Sequence, residues 1–143
     1  MRPRLSVADV LIVDDDEDIL EALGDFVAME GHRVHLAHDG IEGLGRLESE
    51  SVDLILLDVE MPRLSGPEMA YRMFVRDAGV EKIPIVLLSG KLGLDGVAKA
   101  VGTPYFLSKP YRTEQLHAVM ERALTERKPS HPALPPPSAH ASS

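Results

Sequence analysis

The chain has no cysteine and no tryptophan, and only three Tyr and three Phe among its 143 residues. Without cysteine there is no disulfide framework, no thiolate metal site and no cysteine nucleophile. No apolar run approaches the ~20 residues that a membrane helix needs. The opening "MRPRLSVADVLIV" has two Arg but too short an apolar core for a signal peptide, so a cytoplasmic location is the expectation. A basic stripe is also missing. With a net charge of −8, the chain is a poor general binder of nucleic acid, which needs clustered Lys and Arg. What remains is 44% hydrophobic and 27% charged, ordinary for one globular domain with a proper core.

Two textures divide it. Residues 1–127 alternate short aliphatic runs with amphipathic stretches. The end, "KPSHPALPPPSAHASS" (128–143), holds five of the eleven prolines and has no charged or aromatic residue beyond Lys128. A segment so poor in apolar groups cannot offset its ordering entropy, and it is read as a disordered tail. No output domain is expected in it.

Five runs read as strands: Val10–Val13, Arg33–Ala37, Leu54–Leu57, Ile85–Leu88 and Tyr105–Leu107. "VLIV", "LILL" and "IVLL" are apolar throughout, as strands covered on both faces should be. "RVHLAH" alternates like an edge strand, and Pro104 puts the last run at the other edge. Between them, Ile19, Leu20, Leu23, Phe26 and Val27 form one helical stripe stopped by Gly31. Ser65-Gly66-Pro67-Glu68 reads as a capping box. Thr113 is the expected cap of a final helix through Leu116, Val119, Met120, Ala123 and Leu124. The second helix is weakened by Gly43 and Gly45, and the fourth, near Leu94–Val101, is short. Strand–helix alternation predicts an α/β doubly wound, flavodoxin-like fold: five parallel strands in the order 2-1-3-4-5 with helices on both faces.

In such sheets ligands bind beyond the carboxyl ends of the strands. Those ends carry Asp14 and Asp15, Asp58, Ser89, and Ser108-Lys109, with His38-Asp39 farther off. Each taken alone has a plain explanation as a helix cap, a turn residue or a surface charge. Together they put three carboxylates, a hydroxyl and an ammonium in one crevice. Five consecutive acids, Asp14 to Asp18, close the first strand, and close like charges repel by roughly 4 kcal/mol at an effective dielectric near 20. Hard oxygen ligands without His or Cys suit Mg²⁺, which would offset that repulsion. His32, His35 and His38 recur every third residue, but on a strand they do not share a face.

The segments "LIVDDDED", "DLILLDVEMPRLSG", "PIVLLSG" and "GTPYFLSKPY" resemble the receiver domain of two-component response regulators, the CheY-like family, over residues 8 to about 125. The resemblance implies that Asp58 is the phosphoacceptor, served by a sensor histidine kinase or a histidine phosphotransfer protein. It implies Mg²⁺ ligation by Asp14, Asp15, Asp58 and the backbone carbonyl of Glu60. Ser89 would close on a phosphoryl oxygen beside Gly90, and Lys109 would pair with the phosphate. Lys109–Pro110 would be cis, Gly66 structural, and Phe106 the switch aromatic, unless it is a plain core residue. Glu60 and Lys91 stand where this family tunes phosphate lifetime. The stretch from Ser89 to Lys109 is about two residues shorter than usual. The receiver would act as a stand-alone switch for an unknown downstream protein, not as an enzyme beyond its own phosphotransfer and autodephosphorylation. Competing readings are an aspartyl-phosphate phosphohydrolase, disfavoured because Asp58 begins "DVEMP" and not Asp-x-Asp-x-Thr; a flavodoxin-type carrier, disfavoured by acids where a phosphate loop is needed; and a degenerate receiver.

Overall fold

A computed structural model describes residues 7–76, 79–90 and 93–132. Its five parallel strands are β1 (Asp9–Val13), β2 (Arg33–Ala37), β3 (Leu54–Asp58), β4 (Ile85–Ser89) and β5 (Tyr105–Ser108), in the order β2-β1-β3-β4-β5. The α-helices are α1 (Glu17–Met29), α2 (Gly40–Ser49), α3 (Gly66–Arg76), α4 (Leu94–Val101) and α5 (Thr113–Glu126). This is the predicted doubly wound sheet. The central strands β3 and β4 are buried along their whole length. One core, on the α2, α3 and α4 side, contains Leu11, Val13, Ile55, Leu57, Ile85 and Leu87. The other, on the α1 and α5 side, contains Val10, Ile12, Leu54, Leu56, Val86 and Leu88. Alternate residues of one strand feed opposite layers, which is why the central runs must be apolar without a break.

The helix punctuation is largely local chemistry. Asp16 caps α1 by accepting from the backbone N–H of Asp18 and Ile19, and the chain leaves past Gly31, whose φ is 92°. The capping box of α3 is complete: Ser65 N–H donates to Glu68, and Glu68 N–H donates to the Ser65 hydroxyl. In α2, a Cβ on Gly43 would lie 2.8 Å from Met69 Cε and 3.2 Å from Val13 Cγ2, so close packing onto α3 and the sheet accounts for that glycine. No helix of the described residues is long and apolar enough to cross a membrane.

Three expectations are corrected, and one alternative, the core reading of Phe106, is excluded. Three central or late strands run one residue further than predicted, so that Asp58, Ser89 and Ser108 are terminal strand residues; a ladder pairs backbone groups and does not stop at a polar side chain. Thr113 is not the cap of α5. It is the first helical residue, and Gln115 accepts from the N–H of Arg112 instead. Phe106 is not a core aromatic: it is 40% exposed, while its neighbour Tyr105 is fully buried, as alternation on an edge strand requires. The start of the tail is packed. The N–H of His131 donates to the carbonyls of Val101 and Gly102, its ring meets Phe74 edge-on at 5.2 Å, and Ser130 is buried. The Tyr105 hydroxyl accepts from the N–H of Lys128. The rest of the tail, residues 133–143, lies outside the described residues, as does Lys91.

Candidate functional site

The loops at the carboxyl ends of β1, β3, β4 and β5 meet in one place. Parallel register does the positioning: Val13 pairs with Leu57, Asp58 with Leu88, and Ser89 with Ser108. Residues 95 and 51 positions apart in sequence are thereby brought into contact. Lys109 Nζ lies 3.1 Å from Asp58 Oδ1 and 3.4 Å from Asp14 Oδ2. Asp14 and Asp58 are buried, and Asp15 is exposed at the mouth. One carboxylate oxygen from each of the three lies within 4.8 Å of the others. Asp14 is also held from below, accepting from the N–H of Asp16 at 2.9 Å.

The electrostatics follow from this crowding. Burial, and then the neighbouring Asp14 charge, push the Asp58 carboxyl up to about 6, while Lys109 pulls it the other way. The Lys109 ammonium is held above its ordinary value by Asp58 and Asp14 against the opposing effect of burial. Burial likewise raises Tyr111, whose ring packs against the α1 and α5 core. Three hard oxygen donors with no nitrogen or sulfur donor, close enough that the Asp14 charge adds to burial in raising the Asp58 carboxyl, fit a small divalent cation such as Mg²⁺.

The closest backbone approach in this region is at Gly66. A Cβ there would stand 2.5 Å from the Asp58 carbonyl oxygen, and the Gly66 N–H donates to the Val59 carbonyl. Close approach of α3 to the end of β3 thus requires glycine. The Lys109–Pro110 bond is cis, and the Lys109 N–H donates to the Ser89 carbonyl at 2.8 Å, joining β5 to β4 beside the site.

A profile of the family described as "Response regulator receiver domain" matches residues 10–121. The chain belongs to the response regulator receiver family. It is 36% identical over 129 residues to the response regulator MprA of Mycobacterium avium (strain 104), an alignment covering 87% of this chain and 54% of that protein. The chain thus spans about half the length of the curated relatives it matches. Among solved structures, the CheY-like receiver domain protein of Methanospirillum hungatei JF-1 superposes with a TM-score of 0.75 at 26% identity, covering 85% of this chain and 97% of that one. The chemotaxis protein CheY4 of Vibrio cholerae gives 0.73 at 32% identity, covering 82% and 98%. Receivers of this family are phosphorylated on an aspartate, are served by a kinase, and generally bind Mg²⁺ in an acidic pocket.

The receiver's geometry adds side-chain contacts that the sequence reading missed. Asp39, at the end of β2, is buried, caps α2 through the N–H of Glu42, and forms an ion pair with Arg63 of the β3–α3 loop. Arg63 itself has a φ of 67°. The side chain of Glu60 accepts from the Ser89 hydroxyl at 2.8 and 2.9 Å. The three histidines do not converge: His32 accepts from the N–H of Ala8, His35 pairs with Asp9, and His38 lies between Glu17 and Glu42. Only the Asp39-x-x-Glu42 cap had a local signal; the contacts of Glu60 and Arg63 depend on which loops the sheet makes neighbours.

Proposed function

We propose that Asp58 accepts a phosphoryl group from a phosphohistidine on a sensor kinase or histidine phosphotransfer protein, and that the modified receiver changes its affinity for a downstream protein. The observation that carries this reading is the contact of Lys109 with both Asp58 and Asp14, inside a cluster of three carboxylates at the switch point of the sheet.

The chemistry is an in-line displacement. An Asp58 carboxylate oxygen attacks phosphorus as the phosphorus–nitrogen bond of the donor breaks; the electron pair returns to the imidazole nitrogen, which takes up a proton. The product is an acyl phosphate. With its carboxyl at about 6, Asp58 is largely ionised near neutral pH and competent as a nucleophile. Lys109 already sits on Asp58 Oδ1, where its ammonium would offset the negative charge that arrives. Ser89, buried at the end of β4, would donate its hydroxyl to a phosphoryl oxygen. Asp14, Asp15, Asp58 and the Glu60 carbonyl would hold Mg²⁺. When bound, the ion supplies charge neutralisation for the phosphoryl oxygens.

Phosphorylation would draw Ser89 inward and leave room for Phe106, now 40% exposed on β5, to turn toward the interior. The face of α4, β5 and α5 would then change. The receiver would work in the cytoplasm, where kinases draw on ATP, and would turn over no substrate other than its own phosphoryl group. The test is phosphotransfer profiling against a panel of purified, autophosphorylated histidine kinases, with Mg²⁺ omitted as control. Rapid Mg²⁺-dependent transfer from one kinase, lost in Asp58→Asn, is the expected result. Turnover of a free phosphomonoester instead would favour the phosphohydrolase reading.

A further inference from the structure

The Ser89 hydroxyl has a partner that phosphoryl transfer does not call for. It donates to Glu60, both of whose carboxylate oxygens lie within 2.9 Å. The register brings the two together: Asp58 pairs with Leu88, and the Val59 N–H extends the ladder to the Leu88 carbonyl, so Glu60 leaves the sheet beside the end of β4. Ser89 is only 2% exposed, so the donor side of this half-buried bond is shielded from water. A hydrogen bond to an ionised acceptor is also roughly twice as strong as a neutral one. One strand over, Phe106 points outward beside the wholly buried Tyr105. The engaged hydroxyl and the outward ring describe one state of the molecule.

We infer that the Glu60 carboxylate is a resting-state latch: it holds the Ser89 hydroxyl and competes for it with a phosphoryl group on Asp58. This rests on the reading of Asp58 as phosphoacceptor. A hydroxyl has one proton to donate. It serves Glu60 or a phosphoryl oxygen, never both, so each passage to the active state must break the Glu60 bond. Glu60 therefore weights the equilibrium toward the resting form, and by the free-energy difference of that one contact. A receiver with such a latch responds only to a donor able to overcome it. The backbone carbonyl of Glu60, two residues beyond Asp58, is unaffected by the fate of its side chain.

Glu60 is also a negative charge near the site, and its removal would favour any incoming anion. The experiment separates the two effects. Beryllofluoride with Mg²⁺ serves as the phosphoryl probe, titrated by fluorine NMR into the full chain, Glu60→Met, Ser89→Ala and the double variant. The latch predicts that Glu60→Met tightens binding by about tenfold, the worth of a hydrogen bond to a charged group. When Ser89→Ala is also present, the gain from Glu60→Met falls to about threefold or less, the share left for a screened charge. Equal gains in both backgrounds, or no gain in either, would overturn the latch while leaving the phosphoacceptor reading intact. Failure of the wild-type chain and every variant to bind the probe would remove both.

Discussion

Replacing Asp58 by Asn is expected to make the metal-free receiver more stable at neutral pH. Asp58 is 5% exposed, and its carboxyl stands at about 6 against an ordinary 3.8, mainly through burial and then through Asp14. A carboxyl whose folded pKa exceeds its unfolded value is protonated preferentially in the native state. Its stabilising contribution is therefore complete below about pH 4 and is lost as pH rises through about 6. Across that window the native protein gives up about 3 kcal/mol. The asparagine amide would be neutral throughout, but Lys109 would then keep only Asp14 as a charged partner, 3.4 Å away. The net gain should be about 1–2 kcal/mol, or roughly 4–8 °C in Tm for a domain of this size. Urea denaturation followed by circular dichroism, in chelator, at about pH 7.5 and about pH 4, measures it. The variant should be more stable at the higher pH and equal at the lower. Saturating Mg²⁺ should then stabilise the wild type more than the variant, because the ion binds the native cluster. A pH-independent difference, or a destabilised Asn variant at neutral pH, would refute the electrostatic account.

Three other outcomes follow from the same geometry. Lys109→Gln should raise the Asp58 carboxyl above about 6, since the ammonium is what opposes burial there; carbon NMR of the Asp58 carboxyl across a pH titration would read it. Gly66→Ala should cost about 1–3 kcal/mol, because its Cβ would meet the Asp58 carbonyl at 2.5 Å, and should slow labelling of Asp58 by acetyl phosphate; denaturation and labelling rate both report it. Asp16→Ala should lose about 1 kcal/mol through the α1 cap, yet leave Mg²⁺ affinity within about twofold, whereas Asp15→Asn should reverse that pattern; calorimetric Mg²⁺ titration separates them.

Much of this architecture is legible in the chain because its signals are local or periodic. "VLIV", "LILL" and "IVLL" announce strands covered on both faces, "RVHLAH" an edge, and Ser65 to Glu68 a helix start. The convergence of Asp14, Asp58 and Lys109 is also legible, since parallel winding forces all strand ends to one side. What stays hidden depends on contacts between loops. Nothing within the run Val59 to Ser65 marks Arg63 as the partner of Asp39, or the Glu60 side chain as the acceptor for Ser89. Tail residues 129–132 look solvent-bound by composition, yet a proline-rich stretch can still find backbone partners on the body of the fold, as His131 does at Val101 and Gly102. Phe106 is instructive in another way. Its neighbour Tyr105 takes the interior position of β5, and period-2 alternation then puts Phe106 outside, whatever its hydrophobicity.

The acid cluster with Lys109 beside Asp58 predicts where a phosphoryl group must land. The receiver, treated with acetyl phosphate and Mg²⁺, should form an acyl phosphate that borohydride reduces, converting the modified aspartate to homoserine. Peptide mass spectrometry should find that conversion at Asp58 alone and lose it when Mg²⁺ is withheld. Conversion at Asp14, Asp15 or an aspartate outside the cluster, or none despite intact fold, would contradict the account.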